Sequence, residues 1–145
     1  MARVNPLLEP GFVYFATFDF KTVKVGFATS VRTRLLQMQN ASATDIIEID
    51  SYPGTLADER RVHILLKKCH AKREWFYNTN LVEDLLHDLS DAWELIRMER
   101  GRDYEPTISE CLDYENAGKK MDEFLSCLGR GMQMIREGHP LPPSD

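Results

Sequence analysis

Gly11-Phe12-Val13-Tyr14-Phe15-Ala16-Thr17-Phe18-Asp19-Phe20-Lys21-Thr22-Val23-Lys24-Val25-Gly26-Phe27 is the stretch on which the fold of this chain turns. Aromatic and β-branched residues crowd both halves, and such side chains pack well on a pleated, half-buried surface. The short link Asp19-Phe20-Lys21 between the halves predicts a β-hairpin with strands over 12–18 and 22–27. Alternation along a strand puts Val23, Val25 and Phe27 on one face and leaves Lys24 and Gly26 on the other. By the same rule Tyr14 shares its face with Phe12 and Ala16.

Working outward, Ser30 can cap a helix running to about Gln39, whose apolar stripe is Val31, Leu35 and Met38. Residues 45–52 alternate and predict a third strand ended by Pro53-Gly54. Thr55 with Asp58 three residues on predicts a capping box for a helix reaching about His70, with Val62, Leu65, Leu66 and Cys69 as its stripe. A helix over 81–100 carries Leu85, Leu86, Leu89, Trp93 and Ile96 and is closed by Gly101. Another is expected over 107–128, weakened in its middle by Gly118. The segment 1–10 should lie extended, and the Pro-rich tail 139–145 should lack regular structure. The expectation is an α+β protein: a small three-stranded, mostly antiparallel sheet flanked by helices in residues 10–80, then a helical extension over 81–138. Whether the later helices complete the core or form an interaction surface is left open by periodicity.

The net charge of -5 divides unevenly. Residues 1–80 hold 11 Lys and Arg against 8 Asp and Glu, whereas 81–145 hold 7 against 15. A phosphate-binding surface therefore belongs on the first half. The acidic second half keeps the chain soluble, or offers its helices to a second copy or another protein partner. No apolar run is long enough to span a bilayer, and the first residues lack an export signal, so a cytoplasmic protein is expected. Cys69, Cys111 and Cys127 are widely spaced and read as reduced thiols, not a zinc site or disulfide frame.

Five side chains stand out beside bland alternatives. Tyr14 reads as a strand tyrosine in a core, Lys24 as an edge-face lysine, and Arg34 as an arginine covering the rim of a buried helix face. Glu59 lies at one margin of its helix stripe, where it can complement the helix dipole or pair with His63 one turn on. His63 reads as a surface hydrogen-bonding histidine or a neutral-pH proton carrier. Glu74 is a second acid, Trp75 and Phe76 read as core, and Met38, Met121, Met132 and Met134 as helix packing.

In order and spacing, Phe12-Val13-Tyr14, Lys24-Val25-Gly26, Arg34 eight residues past that glycine, Glu59-x-x-x-His63 and Arg73-Glu74-Trp75-Phe76 resemble the GIY-YIG nuclease superfamily, in particular its phage- and prophage-associated branch. The resemblance covers the first half of the chain. Lys24 stands where the family name has a tyrosine. What the likeness implies is divalent-metal-dependent endonuclease chemistry on DNA, around one cleft shared by Tyr14, Arg34 and Glu59. Tyr14 would orient or deprotonate the attacking water, Arg34 and Lys24 would steady the phosphate, and His63 would assist proton transfer. Glu59 would hold Mg²⁺ or Mn²⁺. Asn78 and Asn80 fall near a late asparagine of the superfamily. The alternatives are a module that keeps the fold but binds nucleic acid or protein without turnover, and a subunit assembled through its C-terminal helices.

Overall fold

The computed structural model describes residues 5–136. The hairpin forms as expected: β1 (Gly11–Thr17) pairs antiparallel with β2 (Thr22–Ala28), placing Tyr14 opposite Gly26 and Ala16 opposite Lys24. Thr17 holds the turn together, its hydroxyl donating to the Thr22 carbonyl and accepting from the Phe20 amide. Phe20 takes a left-handed φ of 60° there. After α1 (Val31–Asn40), capped by the Ser30 hydroxyl, β3 (Ile47–Gly54) returns along the other side of β1. Pro53 and Gly54 do not end this strand but pair with Phe12 and Gly11; as an outer strand β3 tolerates the missing proline N–H.

The sheet corrects the expectation of three strands. It has five, all antiparallel, in the order β3-β1-β2-β5-β4. The helix expected to reach His70 stops earlier: α2 (Leu56–Leu65) gives way to a 3-10 turn over Lys67–Cys69. The chain then makes β4 (His70–Lys72) and β5 (Trp75–Tyr77), joined through Arg73 at φ 53°. Strands of three residues are too short to reveal a period of two, and they gain hydrogen bonds only because β2 offers β5 an edge.

α3 (Asn80–Arg100) matches its expected span, and Gly101 ends it at φ 106°. The helix expected over 107–128 is instead two, α4 (Ile108–Asp113) and α5 (Ala117–Arg136). Thr107 and Glu110 cap α4, and the break falls at Asn116 in left-handed φ, two residues before Gly118. The tail over 139–145 lies outside the described residues, and the segment before β1 includes a 3-10 turn over Pro6–Leu8.

Alternation decides which face carries the core. Val13, Phe15, Val23 and Val25 meet Val62 of α2 and its C-cap Leu66, Phe76 of β5, Leu89 and Ile96 of α3, and Ile108 of α4 in one hydrophobic cluster. α3 and α4 thus complete the core begun by the hairpin. Cys69 and Cys111 are buried, and burial with the nearby Glu110 and Asp50 charges pushes the Cys111 thiol up to about 12. That leaves it protonated and unreactive at neutral pH. Among the described residues no helix is long and apolar enough to cross a membrane.

Candidate active site

Tyr14 points away from the core cluster, on the sheet face opposite Val13 and Phe15. Its ring lies flat across Gly26 of β2: a Cβ at that position would overlap the Tyr14 Cζ and hydroxyl. This is a position where only glycine leaves room for a neighbour's ring. The phenol is fully buried, and its hydroxyl meets the Met38 thioether of α1 at 3.9 Å. The Lys24 ammonium reaches the same sulfur at 3.7 Å and pairs with Glu74 Oε2 at 3.4 Å. A thioether is a weak acceptor, so Met38 covers these two groups more than it holds them. α1 itself has no buried residue.

The other face carries the second half of the set. α2 packs on it through Val62 and Leu66, bringing Glu59 and His63 to the margin of β2. Glu59 is 4% exposed. His63 Nε2 lies 2.9 Å from Glu59 Oε1 and 2.9 Å from the Val25 carbonyl oxygen. Both partners are acceptors, so Nε2 carries the proton and is shared between them. The Glu59 hydrogen bond raises the His63 pKa above its ordinary value; burial opposes this, while the Val25 carbonyl and the charges of Glu59 and Glu74 reinforce it.

Val25 is where the two halves meet. Its N–H donates to the Glu74 carbonyl at 2.9 Å, the last bond from β2 to the β5 side before that strand runs out. Past this point β2 has an open margin. Glu74 stands there with its carboxylate paired to Lys24 and its charge felt at His63. The site is therefore two clusters joined around a strand edge: Tyr14, Lys24 and Met38 on one face, Glu59 and His63 on the other, Glu74 between them.

Arg34 stands one turn before Met38 on α1. It is exposed on α1 and lines a surface hollow of about 330 Å³ with Phe27, Ala28, Thr29, Ser30, Thr33 and Gln37. Neither Tyr14, Lys24 nor Glu59 borders that hollow. Tyr14 and Glu59 approach β2 from opposite faces of the sheet, and the Tyr14 hydroxyl is covered by Met38. The physical reason is strand alternation, which sends Tyr14 to the face that α2 does not cover.

Three participants escaped the sequence reading. Met38 was read as stripe packing, but its sulfur caps the phenol and the ammonium. The Val25 carbonyl carries no side-chain signal at all. His70 went unnoticed within an expected helix, and its ring stands against Phe76. Asn78 binds the hairpin turn, its amide donating to the Phe20 carbonyl at 2.9 Å, and Asn80 begins α3. Phe76 is core as expected, and Trp75 stacks on Phe18.

No curated protein and no solved structure matches the chain. A family model does, over residues 11–97, a span that takes in the whole sheet, α1, α2 and most of α3. The chain belongs to the T5orf172 domain family, a phage-associated family found in a nuclease context.

Proposed function

We propose that the protein is a GIY-YIG-like, divalent-metal-dependent endonuclease that hydrolyses DNA phosphodiester bonds at the edge of β2. The observation that carries this reading is the convergence of Glu59 Oε1 and the Val25 carbonyl oxygen on one His63 nitrogen, each at 2.9 Å. A carboxylate this buried is costly unless paired, and such groups concentrate at functional sites. Glu59 would hold Mg²⁺ or Mn²⁺ as the one carboxylate ligand, with phosphate oxygens and water as the remaining ligands. The ion supplies charge neutralisation on the phosphate and a more acidic water.

The chain's own residues divide the remaining work. His63, already the proton carrier between two acceptors, releases its hold on Glu59 and can take or return a proton during water attack. Lys24 and Arg34 are cations that can attend the phosphate, Arg34 by two parallel hydrogen bonds. Arg34 makes no ion pair among the described residues. The Tyr14 hydroxyl can orient the water once the Met38 thioether moves aside. Attack by water oxygen on phosphorus breaks the P–O bond to the leaving sugar oxygen, which takes up a proton.

The experiment is plasmid nicking with Mg²⁺ by wild type, Arg34→Ala, Glu59→Gln and His63→Ala. Loss of nicking by at least a hundredfold in Glu59→Gln and Arg34→Ala is expected; equal traces for all four proteins refute catalysis. A second reading, DNA binding without turnover, is favoured by one observation, the Tyr14 hydroxyl sealed beneath Met38. It predicts salt-dependent DNA binding in EDTA with no nicking by wild type under any metal.

A further inference from the structure

Next to the Glu59–His63 pair the surface folds into a small slot of about 210 Å³, lined by His63, Ile64, Lys67, His70 and Phe76. Its floor is Phe76, 1% exposed, and one lip is Ile64, 73% exposed. Ile64 lies off the Val62–Leu66 stripe of α2, so packing does not explain so large an apolar side chain in the open. The imidazoles of His63 and His70 both stand edge-to-face with the Phe76 ring, at 4.9 Å and 82° and at 5.4 Å and 63°. Each ring is pinned by a backbone carbonyl: His63 by Val25, and His70 by Arg73 at 2.7 Å. The slot is thus preformed, and its aromatic walls do not depend on a ligand for their orientation.

The lining combines three rings, an aliphatic lip and a lysine. That suits a planar heterocycle attached to an anion: the His63 and His70 rings and Ile64 for the base, over a Phe76 floor already covered by the imidazoles, and Lys67 for a flanking phosphate. An aliphatic side chain would leave Lys67 unused, and a hollow of about 210 Å³ is on the scale of a single base. His63 belongs both to this slot and to the pair with Glu59, so an occupant sits beside the phosphate at the proposed cleavage point.

We propose that this slot holds a single unpaired nucleobase, so that the preferred substrate is DNA carrying an extruded or single-stranded nucleotide next to the scissile phosphate. The inference rests on the nuclease reading of the adjoining site but is tested without cleavage. Wild type is titrated in EDTA, by fluorescence anisotropy, against a paired duplex, the same duplex with one unpaired adenine, and one with an abasic residue in that adenine's place. About tenfold tighter binding to the unpaired adenine is expected, with the abasic duplex returning to the paired level. His70→Ala, at an exposed position, should abolish the preference while His70→Phe, which keeps a ring, retains it; a thermal melt of each variant checks that β4 and β5 still form. Equal binding of all three duplexes by wild type overturns the proposal, as does a folded His70→Ala protein that keeps the tenfold preference. The two readings fail differently: nicking without a base preference removes the slot alone, and a base preference without nicking removes catalysis alone.

Discussion

Replacing Gly26 by alanine tests the packing on which the Tyr14 half of the site depends. The new Cβ would overlap Cε1, Cζ and the hydroxyl of a ring that is fully buried, beneath Met38 and across from the β2 backbone. The ring cannot swing out at little cost, so the strain falls in the overpacking range of about 1–3 kcal/mol, and the closeness of three overlapping atoms argues for about 2. A loss of unfolded-chain entropy favours alanine by about 0.5 kcal/mol and offsets a fraction of this. At this chain length about 4 °C of melting temperature follows each kcal/mol, so Gly26→Ala, at a net cost of about 1.5 kcal/mol, should melt about 6 °C below wild type. Urea unfolding with a double-mutant cycle isolates the cause, because Tyr14→Leu deletes the overlapped atoms. In that background Gly26→Ala should cost less than about 0.5 kcal/mol, a coupling of at least about 1 kcal/mol between cross-strand neighbours. If Gly26→Ala is as stable as wild type, or costs the same with leucine at position 14, the phenol does not lie across the glycine and the assignment of faces fails.

The His63 pair has a pH signature. Its folded-state pKa is raised, chiefly by Glu59, so its stabilisation is complete below the ordinary imidazole value of 6.5 and lost as pH rises through the raised value. The melting temperature of wild type should therefore exceed that of His63→Gln by more at pH 5.5 than at pH 9, and parallel curves would contradict the pairing. Trimming Met38 to alanine uncovers the Tyr14 hydroxyl and the Lys24 ammonium. Nicking with Mg²⁺ should rise severalfold while stability falls by about 1 kcal/mol, and an unchanged rate would show that the thioether is no cover. Thr55 caps α2 together with Asp58 in a reciprocal box. Thr55→Ala should cost about 1 kcal/mol by urea titration; a neutral result would mean that the start of the helix bearing Glu59 is set by packing alone.

Local chemistry was legible wherever a signal repeats within a few residues. Asp19-Phe20-Lys21 between two aromatic runs announced the hairpin, Ser30 and Thr55 announced two helix starts, and Gly101 announced a helix end. Strand alternation likewise separates Tyr14 and Lys24 from Val13, Val23 and Val25. The short pieces were not legible. His70–Lys72 and Trp75–Tyr77 are strands because β2 has an unpaired edge to offer, and nothing inside three residues carries that information. Asn116 similarly breaks a helix at a left-handed φ that its neighbours do not announce.

Sequence by itself determined the α+β class, the residues facing each side of the hairpin, and the likeness that singled out Tyr14, Lys24, Arg34, Glu59 and His63. Only the tertiary structure decided how these groups are disposed: Glu59 and His63 on one face, Tyr14 and Lys24 on the other, Arg34 beside a surface hollow along α1. The reason is that facing is a local property of a strand or helix, fixed by a period of two or of 3.6 residues. Which helix covers which face, and which strand stops short at Val25 to leave an open edge, is set by long-range burial of Val62, Leu66 and Phe76 in a core that no short window of residues contains.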